Sequence, residues 1–170
     1  MTVAFIGHRN VVQTETLENQ LKEVITTLIE DENADTFLFG SKSNFDSICY
    51  KVVSALKETY SHIKRVYVRA VYEYIDRDYT DYLLSFYEET FFPDKVNGAG
   101  TNSYVVRNRV MVDMCDVLVT YCDENYTPAK KINGSATFNV VKQHNKRSGT
   151  VISNVYAHKK KKRIINLFAH

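Results

Sequence analysis

The feature that most narrows the fold is a repeated change of hydrophobic period. Short apolar runs alternate along the chain with longer segments in which apolar residues recur every three or four positions. The runs suit buried strands and the longer segments suit amphipathic helices, so their alternation implies a mainly parallel sheet joined by crossover helices. The first run is residues 3–6, followed by a turn from Gly7 to Asn10. A helix over about residues 14–31 then places Leu17, Leu21, Val24, Ile25, Leu28 and Ile29 on one face. Residues 34–40 form the second strand, and Ser43 or Asn44 caps a helix whose buried stripe is Ile48, Val52, Leu56 and Tyr60.

Residues 63–71 read as a third strand carrying Lys64, Arg65 and Arg69. Tyr79, Leu83 and Phe86 suggest another helix, whereas Phe91-Phe92-Pro93 and Gly98-Ala99-Gly100 suggest an irregular stretch. Ser103 caps a helix reaching about residue 114, and residues 116–121 form the fourth strand. The polar connection 123–147 is long for a compact domain unless it hides an element, which points to a partial helix over 136–144. Ser148-Gly149-Thr150 opens a last helix with Ile152, Val155 and Tyr156 on one side, and residues 163–168 are the fifth strand. No repeat and no linker divides residues 1–170, so a single domain is expected.

Composition excludes several classes. A chain of 170 residues buries roughly 70% of its unfolded surface, and 44% hydrophobic content is ordinary for a globular protein, which disfavours disorder, collagen and coiled coil. A net charge of +2 disfavours a protein devoted to duplex nucleic acid, because that binding comes chiefly from many Lys and Arg neutralising phosphates. Cys49, Cys115 and Cys122 form no CxxC pair, and with His144 they have no metal-ligand spacing, so no metal is expected and the thiols read as buried in a reducing compartment. The amino terminus lacks the pattern of a signal peptide, and no run approaches the roughly 20 apolar residues of a membrane span. A cytoplasmic protein without membrane partners is expected.

In an open parallel sheet, ligands bind beyond the carboxyl ends of the strands, near the point where strand order reverses. Gly7-His8-Arg9 follows strand one, Gly40-Ser41-Lys42-Ser43 follows strand two, and Ser148-Gly149-Thr150 starts a helix. Glycine admits close backbone approach, hydroxyls donate hydrogen bonds, and free N–H groups at a helix start favour an anion, so these turns together describe a phosphate cradle. Each is also an ordinary strand-to-helix turn when taken alone. Neither GxxxxGK[ST] nor GxGxxG occurs, so the common ATPase and dinucleotide fingerprints are missing. Arg107, beside Asn108 and Arg109, can fork onto a phosphate, or can face solvent, or pair with Asp113 or Asp116. His8 is a general acid or a turn histidine that orders its neighbours. Asp46 either bonds a ligand hydroxyl or offsets a helix dipole. The run Lys159 to Arg163 reads first as a solvated helix end.

Residues 3–9 (VAFIGHR), Phe37-Leu38-Phe39-Gly40-Ser41 with Phe45-Asp46, Tyr104 with residues 107–113 (RNRVMVD), residues 116–119 (DVLV) and Ser148-Gly149-Thr150 occur in the order seen in the SLOG superfamily. The chain resembles its YpsA-type family most. The resemblance implies a Rossmann-like three-layer α/β/α fold, with a mainly parallel sheet of about five or more strands, that binds a nucleotide or nucleotide-derived molecule. Carried over by position, Gly7, His8 and Arg9 line the first turn, Gly40, Ser41 and Asp46 the second, and Arg107 and Asn108 a pocket-facing helix. Ser148, Gly149 and Thr150 stand where the family has its GGT phosphate turn, with Ser148 replacing the first glycine.

LOG-type phosphoribohydrolases of the superfamily carry a PGGxGTxxE motif, and its glutamate position holds Ser153 here. A hydroxyl cannot replace a carboxylate that stabilises a ribosyl cation or accepts a proton, so catalysis is left open with a lean against it. Glu73, Glu88 or Glu89 would have to enter the pocket instead. The leading expectation is a sensor or sequestering domain without a cofactor, followed by an N-glycoside hydrolase of nucleoside monophosphates. A single-strand nucleic-acid binder, with nucleic acid disfavoured as partner, ranks third. Twelve Tyr and nine Phe exceed what a small core encloses, so Tyr72-Glu73-Tyr74 and residues 79–87 read as a self-association surface or a pocket wall, and a homo-oligomer, most simply a dimer, is expected.

Overall fold

The computed structural model describes residues 1–41, 43–126 and 148–168. Strand β1 (Thr2–Gly7) leads to helix α1 (Glu15–Glu30), β2 (Thr36–Phe39) to α2 (Asn44–Lys57), and β3 (Lys64–Val68) to α3 (Arg77–Leu84). Then follow β4 (Glu89–Phe91), two single 3-10 turns (Asp94–Val96 and Gly100–Asn102), α4 (Ser103–Met114), β5 (Val117–Tyr121), α5 (Gly149–Lys159) and β6 (Arg163–Asn166). The six strands form one sheet in the order β4-β3-β2-β1-β5-β6, and every adjacent pair is parallel.

Alternation of side chains across the pleat builds two cores from this one sheet. Val3, Phe5, Phe37 and Phe39 face α1 and α2, meeting Leu21, Ile25, Phe45 and Ile48. Ala4, Ile6, Leu38 and Val66 face the other way, against Met111 and Val112 of α4 and Ala157 of α5. The result is a Rossmann-like three-layer α/β/α architecture. Among the described residues no helix is long and apolar enough to cross a membrane.

Local chemistry starts the helices where their amino-terminal N–H groups need partners. The Thr14 hydroxyl accepts from Leu17 N at 3.2 Å, and the Ser43 hydroxyl accepts from Asp46 N at 3.1 Å. Such caps contribute about 1 kcal/mol each. Ser103, expected as a cap, is instead the first residue of α4, and its hydroxyl donates to Gly100 O at 2.6 Å.

Three expectations need correction. Phe91, read as the start of an irregular stretch, ends a short strand, β4, which is too short for a visible alternation and pairs with Val66–Val68. The last helix buries Val151, Ser153, Asn154 and Ala157, whereas Val155 is exposed, because its inner face meets α4 through polar side chains. In α2 the inner stripe is Phe45, Ile48, Cys49, Val53 and Leu56, one position off at Val52, with Tyr60 beyond the helix end. The partial helix expected over 136–144 lies outside the described residues.

The chain moves outward from β1 through β2 and β3 to β4, then returns to the other side of β1 with β5. Strand order therefore reverses between β1 and β5. Because all strands run the same way, the turns after β1, β2, β3 and β5 and the start of α5 share one rim of the sheet.

Candidate functional site

Arg107 organises that rim. Along α4 it occupies the inward position one turn before Met111, where an apolar residue would normally sit, and it is 1% exposed. Its Nη1 donates to Val68 O at the end of β3, 3.1 Å away, and its Nε donates to Asn108 Oδ1 at 2.9 Å. Its guanidinium carbon lies 5.9 Å from the centre of the Tyr104 ring. Asn108 donates in turn to Ser153 Oγ at 3.2 Å, and Ser153 Oγ donates to Gly149 O at 2.8 Å. One line of hydrogen bonds thus joins the end of β3 and the first half of α4 to the first turn of α5.

Opposite Arg107 lies Asp46, in the first turn of α2. It is 3% exposed, and its Oδ1 has no hydrogen-bond partner among the described residues. Burial pushes its carboxyl up to about 7; the Arg107 guanidinium, followed by the backbone N–H groups of Ser41 and Gly40, opposes that rise without cancelling it. The two side chains make no ion pair among the described residues and act on each other only through their charges. Burial also lowers Arg107.

The glycines of the first two turns have a reason other than ligand approach. A Cβ on Gly7 would lie 2.7 Å from Phe45 Cβ, and one on Gly40 would lie 2.8 Å from Arg107 Cζ. Both positions are therefore vacated for side chains of the protein itself. Gly149 differs: it is exposed, and nothing lies within 4 Å of where its Cβ would be.

The other sequence-predicted residues divide in the same way. The Ser41 hydroxyl donates to Ser43 Oγ at 2.7 Å and accepts from Ser43 N at 3.0 Å, so it shapes the second turn. Arg9 is exposed, and its carbonyl accepts from Asn44 N at 2.9 Å, tying the first turn to α2. Ser148 caps α5 by accepting from Val151 N at 3.2 Å, and Thr150 is buried behind it. Asn108 is half-buried between Arg107 and Ser153. Arg107 pairs with neither Asp113, which holds Lys95, Lys160 and the Tyr156 hydroxyl, nor Asp116, which accepts from Thr2 N.

His8 sits on the β5 side of the reversal, 4% exposed, with its ring 4.3 Å from that of Tyr126. Its Nε2 accepts from Asp123 N at 2.9 Å and lies 3.2 Å from Asp123 O, while Nδ1 is buried without a partner among the described residues. Burial lowers its pKa more than Asp123 raises it, so the ring is neutral at pH 7.

No family model matches this sequence, and no curated protein matches it. The chemistry of the rim has to be read from its own residues.

Ser153, at the glutamate position of the LOG-type motif, is fully buried, and its hydroxyl is committed to Gly149 O and Asn108. Glu88 and Glu89 stand at the amino end of β4, bound to Arg65 and Lys64, on the rim away from these turns. Glu73 is the one of the three glutamates on the carboxyl rim. It lines a cavity of about 400 Å³ formed by residues 70–73, Phe92, residues 96–98, Gly100, Ser103 and Tyr104. A second cavity of about 420 Å³ lies between residues 10–13 and the start of α2. None of the residues expected to hold the ligand lines either one, although Glu73 and Tyr104, both noted in the sequence, line the first. Signals that could have found the first are Arg69, just beyond the end of β3, and the glycines at 98 and 100, none of them among the expected site residues.

Proposed function

We propose that the chain binds a nucleotide or nucleotide-derived small molecule at the carboxyl rim of its sheet, as a sensing or sequestering domain of the SLOG type it resembles. The observation that carries this reading is the hydrogen-bonded line from buried Arg107 through Asn108 and Ser153 to exposed Gly149, beside a buried Asp46 whose Oδ1 has no hydrogen-bond partner among the described residues. Phosphate rests on the free N–H groups at the start of α5, where the helix dipole favours an anion. Ribose hydroxyls donate to Asp46. Such a protein acts in the cytoplasm and needs no cofactor.

Arg107→Ala is a poor test, because it would strand the Val68 carbonyl and open a hole beneath β3. Gly149→Asp is better: the site is open and Asp is tolerated in a first helical turn, yet its charge repels phosphate. Calorimetry with the four common nucleoside monophosphates should give binding to the natural chain and at least tenfold weaker binding to Gly149→Asp. Equal affinities would dismiss the phosphate seat.

Hydrolysis of an N-glycoside is the second reading, favoured by Asp46 alone, whose carboxyl titrates near 7 as a general acid should. It requires free base to appear from a monophosphate and to stop appearing in Asp46→Asn. Strand binding finds less support, because Lys160 pairs with Asp113, Lys162 donates to the carbonyls of Asp113 and Cys115, and Arg163 pairs with Glu32. Self-association is part of the same proposal, and the exposed rings of Tyr74, Tyr82 and Phe86 support it.

A further inference from the structure

We infer that the cavity beyond the ends of β3 and β4 is the seat of a planar aromatic ring, the nucleobase of the ligand; this rests on the nucleotide reading above and extends it. The cavity, about 400 Å³, falls within the size of small-molecule sites. Tyr72 and Tyr104, both lining it, are 67% and 58% exposed, and Phe92 lines it with them. Uncovered rings beside a cleft are stacking surfaces that accept any base, since every base has a π-face.

Tyr72 is held in place rather than left loose. Its φ of 60° lies in the left-handed region, where a bulky side chain is uncommon. Arg69 fixes that conformation: its Nη1 donates to Tyr72 O at 2.7 Å and to Glu73 O at 3.3 Å, while its guanidinium lies 5.9 Å from the Phe92 ring centre. Asn97 Nδ2 donates to Glu73 Oε1 at 3.1 Å. The amide and carboxylate together leave both an N–H and oxygen acceptors at the cavity wall, the mixture that reads the polar edge of a base.

The cavity is linked to the proposed phosphate seat through α4. The Arg107 guanidinium carbon lies 5.9 Å from the centre of the Tyr104 ring, and from Tyr104 to Asn108 is about 6 Å along the helix axis. Asn108 then joins Ser153 and the Gly149 turn. A ligand spanning the rim above these side chains places its base between Tyr72 and Tyr104 and its phosphate at the start of α5.

Tyr72→Gly tests this without unfolding, since glycine adopts the same φ at no cost. Calorimetry of the full chain with AMP, GMP, CMP, UMP and ribose 5-phosphate should show tighter binding of at least one monophosphate than of ribose 5-phosphate. Tyr72→Gly should weaken that monophosphate about tenfold or more and leave ribose 5-phosphate unchanged, whereas Gly149→Asp weakens both. Unchanged monophosphate binding in Tyr72→Gly, or ribose 5-phosphate binding as tightly as every monophosphate, overturns the base seat and leaves the phosphate reading standing. Binding of none of the five probes overturns both.

Discussion

Asp46 and the three glycines show how single residues set the rim. A carboxyl held at about 7 keeps its proton longer in the native chain than in the unfolded one. Its contribution is therefore most favourable below the usual carboxylate pKa and is lost as pH rises from about 4 to 7, on the order of a few kcal/mol. Asp46→Asn should remove this fall and raise the melting temperature at pH 8 while changing little at pH 4. Thermal melts across that range check it, and parallel curves for the two chains would refute the burial argument. His8 has the opposite sign: its lowered pKa makes stability rise with pH up to its unfolded value near 6.5, so Asp46→Asn should also expose that rising limb. The glycines are separable in the same way. Gly7→Ala and Gly40→Ala drive a methyl into Phe45 and Arg107, and each should cost about 1–3 kcal/mol in denaturant melts. Gly149→Ala, with open space around it, should be close to neutral for folding.

Among the elements, legibility followed the apolar signal. Helix α1 carries five buried aliphatics at helical spacing behind a threonine cap, and its ends match the expected ones within a residue. In α4 and α5 the inward face carries Arg107, Ser153 and Asn154, so an apolar stripe cannot be found and Ile152 and Val155 mislead. Arg107, Asn108 and the Gly149 turn were nonetheless visible as chemistry, because their residue types are unusual at a sheet rim. Invisible were their burial, the Asn108 to Ser153 bond across 45 positions, and the cavity, whose walls come from segments with no regular period. The α4–α5 seam also decides what Ser153 can become. Ser153→Glu would place a carboxylate at a fully buried position between Asn108 and Gly149. It should destabilise the chain by about 3 kcal/mol or more and produce no base release from monophosphates. A stable Ser153→Glu chain with new hydrolase activity would show that the site tolerates the LOG-type carboxylate after all.

The whole molecule is electrically lopsided even though its net charge is only +2. At the β4 edge, residues 71–94 carry Glu73, Asp76, Asp78, Asp81, Glu88, Glu89 and Asp94 against Arg77 alone. At the opposite edge, β6 and the end of α5 carry Lys159, Lys160, Lys161, Lys162 and Arg163 with no acid in residues 156–168. Two of the acids are spent on Arg65 and Lys64, and three of the cations on internal partners, yet Asp76, Asp78, Lys159 and Lys161 make no ion pair among the described residues. Aromatic side chains are exposed beside the acidic edge, and among the described residues neither β4 nor β6 has a strand on its outer side. If copies associate, opposite edges attract and like edges repel, which favours a head-to-tail contact over the two-fold dimer expected from composition. Charges beyond about 10 Å are screened at 0.1 M salt, so association by these edges should weaken steeply between low and high salt. Sedimentation of the full chain in 20 mM and 500 mM sodium chloride, repeated with Lys159→Glu/Lys161→Glu, measures this directly. Larger species that persist at high salt and in the double variant would place the contact on the exposed rings in and around α3 instead.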